Sequence, residues 1–241
     1  MADNVDFIDI HSHILYGIDD GARDVDEALD IINMAGAAGV RAMVATPHIN
    51  LERSNGVLNE ASTKLEILKD IVRQQGIGVD LTLGAEVILE LELPMAVKKD
   101  KRLTIGGKGR HILVEMPLSG IPIYAGSVIF DLLANGITPV WAHPERCFEV
   151  IDDYKVVFPY VRNGVLLQIN VGSLLGFYGR KVKHTAKKII VNNLGHVLAS
   201  DMHRCNDTRK AFPDAFHYVV RMIGNKKAVD MVFSIPSKII N

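Results

Sequence analysis

The chain has 241 residues, of which 48% are hydrophobic and 23% are charged, as in folded proteins with a well-filled core. Its 27 basic and 28 acidic residues nearly balance, which argues against a nucleic-acid-binding surface. We expect neither a signal peptide nor membrane insertion, because the acidic N-terminal segment lacks an apolar stretch and no apolar run approaches the roughly 20 residues of a spanning helix. Two cysteines are too few for a disulfide scaffold, so the expected location is the cytoplasm.

Short β-type runs alternate with helix-length segments along the chain. The predicted strands are residues 6–10, 42–46, 81–85, 111–115, 138–142, 166–170 and 197–200. Segments 25–35 and 58–72 carry apolar residues at helical spacing, and Asp24 and Glu27 are placed as a capping box before the first of them. This alternation predicts an α/β fold with a parallel sheet, in one domain over residues 1–241. Seven strands could form an open sheet or close into an irregular (β/α) barrel.

The strongest chemical signal is the segment Asp9-Ile10-His11-Ser12-His13. Alternate residues of a strand share a face, so Asp9, His11 and His13 are expected to project together. Two neutral imidazoles beside a carboxylate are typical of a metal site. A lone histidine is more often a core or surface residue, but a pair at this spacing indicates metal binding.

Further ligand candidates follow the other predicted strands. They are His48, Glu86, Glu115, His143, Asp201 and His203. Each lies at the carboxyl end of a run, the edge where parallel α/β folds assemble active sites. Singly, Glu86 or Glu115 could be a strand-end charge in a salt bridge, but together the set predicts one site. Histidines and carboxylates without a thiolate suit manganese, iron or zinc, and so many ligands predict two or three divalent ions.

The order of these motifs resembles the PHP family, named for polymerase and histidinol-phosphate phosphatase. The segments that carry this resemblance are DxHxH, TPH, GAE, the glutamate that ends the fourth run, HPER and SDMH. More narrowly, DIHSHIL with GIDDG, ITPVWAHPER and ASDMH resemble the bacterial manganese-dependent protein-tyrosine phosphatases that act with capsule and exopolysaccharide tyrosine kinases. The resemblance runs from Asp9 to about Arg209. It implies a distorted seven-stranded (β/α) barrel of TIM-barrel type with a trinuclear metal centre.

The resemblance also implies which residues bind each ion. The ligands of the first ion would be His11, His13, Glu86 and Asp201. Those of the second would be Glu86, as a bridge, with Glu115 and His143. Those of the third would be His48 and His203, completed by Asp19 or Asp20. Many relatives have a histidine where this chain has Asp19, which leaves the choice between the two aspartates open.

The implied activity is hydrolysis of phosphotyrosine on a bacterial tyrosine kinase or another polysaccharide-biosynthesis protein. A hydroxide that bridges two ions forms at neutral pH and can attack phosphorus in line. Arg146, three residues after a ligand histidine, is placed to bind the phosphoryl oxygens, and Arg209 is a second candidate. Either arginine could instead form a surface ion pair. Asp20 or a water could supply a proton, and the resemblance allows self-association into a homo-oligomer.

Several aromatic and histidine side chains have two interpretations. Those that could stack on a phosphotyrosine ring or pack against helices are Tyr124, Phe177 and Tyr178. Histidines without neighbouring ligand candidates, expected to be structural, are His111, His184, His196 and His217.

Other functions are weighed against this hypothesis. Only three residues separate Cys205 from Arg209, which is too short for a cysteine-dependent phosphatase. Histidinol-phosphate phosphatase, or another small-molecule phosphomonoesterase, shares the metal chemistry and is the main alternative. An exonuclease is disfavoured by the balanced charge and the 6% aromatic content. A non-catalytic metal-binding or kinase-binding partner is disfavoured because every ligand position of the family is filled.

Overall fold

The computed structural model describes residues 5–205 and 211–241. Its strands are β1 Phe7–Ser12, β2 Val40–Ala45, β3 His48–Ile49, β4 Asp80–Leu83, β5 Glu86–Ile88, β6 His111–Glu115, β7 Thr138–Ala142, β8 Leu166–Asn170 and β9 Val197–Ala199. Its helices are α1 Val25–Ala37, α2 Ser54–Gln74, α3 Leu93–Lys99, α4 Ala125–Ala134, α5 Phe148–Asp152, α6 Phe158–Arg162, α7 Val171–Leu175, α8 Arg180–Val191, α9 Ala211–Ile223, α10 Asn225–Val229 and α11 Ile235–Ile240. None of the helices within these ranges combines the length and apolar character that crossing a bilayer requires.

The strands form two parallel sheets, ordered β1-β2-β4 and β3-β5-β6-β7-β8-β9. The predicted α/β fold with parallel strands is therefore confirmed. The closed seven-stranded barrel is not confirmed, because the described residues contain nine strands in two separate sheets. The sheets approach each other at an isolated parallel bridge between Ser12 and Met202.

Two of the predicted strands, 42–46 and 81–85, are each followed by a second short strand that the sequence did not predict. Pro47 lies between β2 and β3, where it cannot donate a hydrogen bond to a neighbouring strand. Gly84 lies between β4 and β5, and a Cβ there would be 2.9 Å from Val44 Cγ1. A side chain at Gly84 would therefore collide with the packed side chain of Val44. Each of the short strands begins with a predicted ligand, His48 in β3 and Glu86 in β5.

The long helices form where the apolar pattern predicts them. In α2 the buried side chains are Leu58, Ala61, Leu65, Leu68 and Val72, which recur on one face. Asp24 caps α1 by accepting from Glu27 N at 2.9 Å. The Glu27 carboxylate does not return to Asp24 N, as a full capping box requires, but accepts from Arg23 N and Nε, each at 2.9 Å.

An apolar cluster with members from both sheets joins them beneath the strand ends. Its buried residues are Ile8, Ile10, Val44, Ile105, Leu113, Val140, Ala142, Val197, Ala199 and Ile239. A larger cluster packs the outer faces of the strands against the helices, and includes Phe7 stacked on Phe212 of α9 at 5.5 Å between ring centroids. With apolar packing on both faces, the strands hold their polar C-terminal ends in fixed positions.

Candidate metal centre

Most of the sequence-predicted ligands meet at the carboxyl ends of the strands. Their ligand atoms form three groups, within each of which all the atoms lie within 4.8 Å of one another. The groups are His11, His13, Glu86 and Asp201; His48, Glu86 and Glu115; and His13, Asp20, His48 and His203. Because Glu86, His13 and His48 each belong to two groups, the three form one connected cluster.

His11 and His13 direct their Nε2 atoms toward the same point. His11 Nδ1 lies 2.9 Å from Gln168 Oε1, and His13 Nδ1 lies 2.8 Å from Asp19 Oδ2. Each Nδ1 must donate to its oxygen, which leaves each Nε2 of the neutral rings with a lone pair. The two Nε2 atoms are only 3.2 Å apart, so a shared cation suits this arrangement better than either ring alone.

Glu86 lies at the centre of the cluster. Its Oε2 is 3.1 Å from His11 Nε2, 3.3 Å from His13 Nε2 and 3.1 Å from His48 Nδ1. Within the described residues, this buried oxygen accepts no hydrogen bond. Its other oxygen, Oε1, is 3.0 Å from His143 Nε2. A carboxylate with both oxygens directed at imidazole nitrogens has the geometry of a bridge between two ions.

His143 and Asp201 occupy unusual backbone positions after their strands. Both are non-glycine residues with positive φ, 37° at His143 and 53° at Asp201. This left-handed conformation is sparsely populated by such residues and is concentrated at functional sites. At these turns it directs the two side chains toward Glu86 and His11. His143 Nε2 is also 3.8 Å from Glu115 Oε1, so His143 stands between the two glutamates.

The third group lies at the open edge of the cluster. Asp20 Oδ1 is 3.3 Å from His203 Nε2 and 3.6 Å from His48 Nε2, and 71% of the Asp20 side chain is exposed. Asp19 instead lies behind His13, where it accepts from His13 Nδ1 and from the backbone N atoms of Gly21 and His48. This geometry favours Asp20 over Asp19 as the third-ion ligand and gives Asp19 the task of orienting His13.

The pKa values in the cluster show that it requires positive charge. Burial opposes protonation of His11, but the carboxylates of Glu86 and Asp201 outweigh it and raise the His11 pKa to about 9. Burial would raise the pKa of Glu86, yet the neighbouring imidazoles hold it well below its ordinary value. For Glu115, burial and repulsion by Glu86 raise the pKa. In the absence of a metal, the neighbouring carboxylates favour protonation of His11 and His13, and divalent cations would replace these protons.

The residues present therefore fit divalent metal ions. Oxygen and imidazole ligands without a thiolate suit manganese, iron or zinc. The unpaired Glu86 Oε2 and the facing lone pairs of His11 and His13 are groups that a cation would satisfy. Among the described residues, neither Cys147 nor Cys205 belongs to a ligand group.

Arg146 lies beside this cluster, at the rim of an open cleft. The cleft is lined by Asp20, His48, Glu115, His143, Arg146, Tyr178, Asp201 and His203. Arg146 Nη1 donates to Asp201 Oδ2 at 2.8 Å, and its guanidinium carbon lies 4.4 Å from the centroid of the Tyr178 ring. The second predicted arginine, Arg209, lies outside the described residues.

The aromatic candidates divide between the two interpretations. Tyr178 lines the cleft, in contact with Arg146. Tyr124 Oη donates to Leu89 O at 3.2 Å and its ring packs against the core, which is the helix-packing role. Phe177 is 60% exposed and does not line the cleft.

Sequence reasoning missed a layer of buried polar residues behind the ligands. Gln168 and Asn170 of β8 are fully buried and connect His11 to Asp201. Ser200 Oγ donates to Asp9 Oδ2 at 2.5 Å, so Asp9 supports the ends of β1 and β9 instead of joining the ligand groups. The signal for the first pair was present, because polar residues alternate with apolar ones in LLQIN.

Comparison with known proteins identifies several relatives. The chain matches the model for CpsB/CapC proteins of capsular polysaccharide synthesis over residues 7–241. CapC of Staphylococcus aureus is 32% identical over 81% of this chain and 76% of that protein. The tyrosine-protein phosphatase YwqE of Bacillus subtilis is 31% identical over 91% of this chain and 86% of its own, and tyrosine-protein phosphatase CpsB of Streptococcus pneumoniae is 30% identical over 97% and 98%.

Two solved structures resemble this chain, one in both sequence and fold and the other in fold alone. A crystal structure from the pair YwqE of Bacillus subtilis and CpsB of Streptococcus pneumoniae, described as metal-dependent tyrosine phosphatases, has a TM-score of 0.86 and 29% identity. It covers 97% of this chain and 94% of that one. Histidinol phosphate phosphatase from Lactococcus lactis has a TM-score of 0.55 and 12% identity over 92% of this chain and 93% of its own, a likeness of fold alone.

Proposed function

We propose that this chain, which belongs to the CpsB/CapC family of capsular polysaccharide synthesis proteins, is a metal-dependent tyrosine-protein phosphatase. The observation that carries the proposal is the connected cluster of three ligand groups, two of which share Glu86, beside Arg146. The family relationship supports the choice of phosphotyrosine, because relatives with about the same length are tyrosine-protein phosphatases. A protein-tyrosine phosphatase of capsule synthesis would act on a bacterial tyrosine kinase or another protein of that pathway.

The metal centre of this proposal holds three divalent ions, with manganese as the first choice and iron or zinc as alternatives. Such ions generate a nucleophile from water at neutral pH and neutralise charge on the phosphoryl group. The chain's own part is to fix their positions. His11, His13 and Asp201 would hold the first ion, Glu86 would connect it to the second, and the third would lie between Asp20 and His203.

The residues around the cleft would bind and orient the phosphoryl group. Arg146 offers a planar fork of N–H donors, the geometry that matches two phosphoryl oxygens. Its pairing with Asp201 and its contact with Tyr178 hold the fork at the rim before substrate arrives. A tyrosyl leaving group, with a pKa of about 10, needs little protonation, so water at the open edge can provide the proton. Asp20 can serve as a proton donor only if it is not a metal ligand.

The openness of the site supports a protein substrate. His48 is 39% exposed and Asp20 is 71% exposed, so the third group lies at the protein surface. A phosphotyrosine on a protein must enter while its backbone stays outside, which an open cleft permits. A small phosphorylated metabolite is more often enclosed on most sides. We also propose one domain, a cytoplasmic location and a capacity for self-association.

Phosphate release by purified protein, stripped of metal and reloaded with manganese, iron or zinc, tests the proposal. A phosphotyrosyl peptide and histidinol phosphate are the two substrates to compare. We expect release from the peptide only after reloading, with preference for the peptide. Preference for histidinol phosphate would keep the metal centre but replace the substrate. Failure to hydrolyse either substrate, with ions bound, would contradict the phosphatase assignment.

A further inference from the structure

Two amide side chains lie directly behind the metal centre and join two of its ligands. Gln168 and Asn170 are alternate residues of β8, so both side chains project from the same face of the strand. Both are fully buried. We call this pair the amide relay.

The relay determines which nitrogen of His11 is available to a metal. Gln168 Oε1 lies 2.9 Å from His11 Nδ1 and accepts a hydrogen bond from it. The backbone N of His143 donates to the same oxygen at 3.3 Å, so Oε1 stays directed toward the two histidines. The His11 tautomer with an unprotonated Nε2 follows from this contact, because a neutral imidazole carries one N–H.

The relay also determines which oxygen of Asp201 is available. Gln168 Nε2 donates to Asn170 Oδ1 at 2.7 Å, and Asn170 Nδ2 donates to Asp201 Oδ2 at 2.6 Å. Arg146 donates to that same oxygen at 2.8 Å. With Oδ2 held by two donors, Oδ1 is the oxygen that faces the imidazoles, at 3.4 Å from His11 Nε2. Asp201 is therefore prepared to bind an ion through one oxygen.

We infer that Gln168 and Asn170 are positioning residues that couple the tautomer of His11 to the orientation of Asp201. All the donors point in one direction along the path His11, Gln168, Asn170, Asp201. If one of these hydrogen bonds is lost, the next amide side chain loses a partner that fixes its orientation. The inference rests on the proposed metal centre, but it concerns binding of the ion and not the substrate or the reaction.

The competing explanation is that two buried amides merely satisfy each other within the core. Buried polar groups need hydrogen-bond partners wherever they lie, so their presence alone would not imply a function. The two explanations differ in what is lost when the amides are removed. Loss of core polar contacts lowers stability, whereas loss of positioning lowers metal affinity beyond any effect on stability.

Zinc binding by the metal-stripped full chain tests the inference, with affinity and ion count measured against a chromophoric chelator. Gln168→Leu and Asn170→Leu keep the side-chain volume and remove the hydrogen bonds. We expect the ion held by His11 and Asp201 to bind about 10- to 100-fold more weakly in both variants.

Thr104→Val is the matched control. Thr104 is fully buried and its hydroxyl donates to Lys101 O and accepts from Gly109 N, away from every ligand. We expect it to lower the free energy of unfolding while zinc affinity stays at the wild-type value. Wild-type affinity in the folded leucine variants, or an equal loss in Thr104→Val, would overturn the inference. If the leucine variants do not fold, Asn170→Ser, too short to reach both partners, replaces them with the same expectation. Phosphatase activity plays no part in this measurement, so the proposed function can fail without affecting its outcome.

Discussion

Arg146 and Asp201 form a partly buried ion pair, with 2.8 Å between Arg146 Nη1 and Asp201 Oδ2. A side chain proposed to bind phosphate thus contacts a side chain proposed to bind metal. Asp201 has a second donor on the same oxygen, from Asn170, so it does not depend on Arg146 alone for its orientation. The phosphate-binding and metal-binding roles can therefore be separated by mutation.

Replacement of Arg146 should affect activity far more than metal content. We expect Arg146→Ala to lower kcat/KM by about 100- to 1,000-fold, the usual effect of removing one donor to transition-state charge. The ion count should remain that of wild type because Asn170 still holds Asp201. Arg146→Lys should recover only part of the activity, since an ammonium cannot bind two oxygens as a fork. An alanine variant with wild-type kcat/KM would contradict the phosphate-binding role.

Removal of a ligand from the group that contains His11, His13, Glu86 and Asp201 should lower both the metal content and the activity. We expect His13→Ala and Asp201→Ala to contain fewer ions after reloading, by elemental analysis, and to lose at least about 100-fold in phosphate release. His184→Ala is the matched control, because His184 is exposed on α8 and belongs to no ligand group. The assignment of these ligands would be wrong if the two variants matched His184→Ala in ion count.

A glycine beside the centre is required for its geometry. A Cβ at Gly21 would lie 2.1 Å from His13 O and 2.8 Å from Asp19 Oδ1. Gly21→Ala must therefore displace the contact between Asp19 and His13, and we expect it to lower the free energy of unfolding by about 1–3 kcal/mol. Gly56→Ala is the control, because a Cβ at this position in α2 meets nothing within 4 Å, so alanine should stabilise by about 0.5–1 kcal/mol. Urea denaturation of both variants checks the opposite signs, and equal effects would contradict the steric argument.

One histidine away from the centre should make stability depend on pH. His196 Nδ1 accepts from Leu167 N at 3.1 Å, and burial lowers the His196 pKa below its ordinary value of 6.5. As pH falls below about 6.5, the unfolded chain binds a proton there that the folded chain does not, so the free energy of unfolding decreases. His196→Asn keeps an acceptor without a titrating group. We expect metal-stripped wild type to lose more stability than this variant between pH 7.5 and 5.5, and identical losses would refute the role of His196.

The strand positions and the ligands at their ends could be predicted because each follows from a local pattern. The alternation in DFIDI and the apolar run before His143 need no knowledge of distant residues. The two additional short strands, β3 and β5, were predictable only in part. Pro47 is a visible interruption, whereas the close approach at Gly84 depends on Val44 of a neighbouring strand.

Features that depend on pairs of distant residues could not be predicted in the same way. Asp19 and Asp20 are adjacent and chemically identical, and only the positions of His13 and His203 distinguish the supporting carboxylate from the one in the ligand group. The amide relay requires β8 to lie beside the ends of both β1 and β9. No local pattern in the sequence shows this arrangement of three distant strands.

The distribution of the ligands along the chain has a consequence for biosynthesis. His11 and His13 leave the ribosome long before Asp201 and His203 do. An ion captured early would meet only an incomplete set of ligands, and a chain truncated before Asp201 could not complete the first group. The first group thus becomes complete only when β1 and the segment after β9 have met, so an ion bound by His11, His13 and Asp201 reports that the chain has folded.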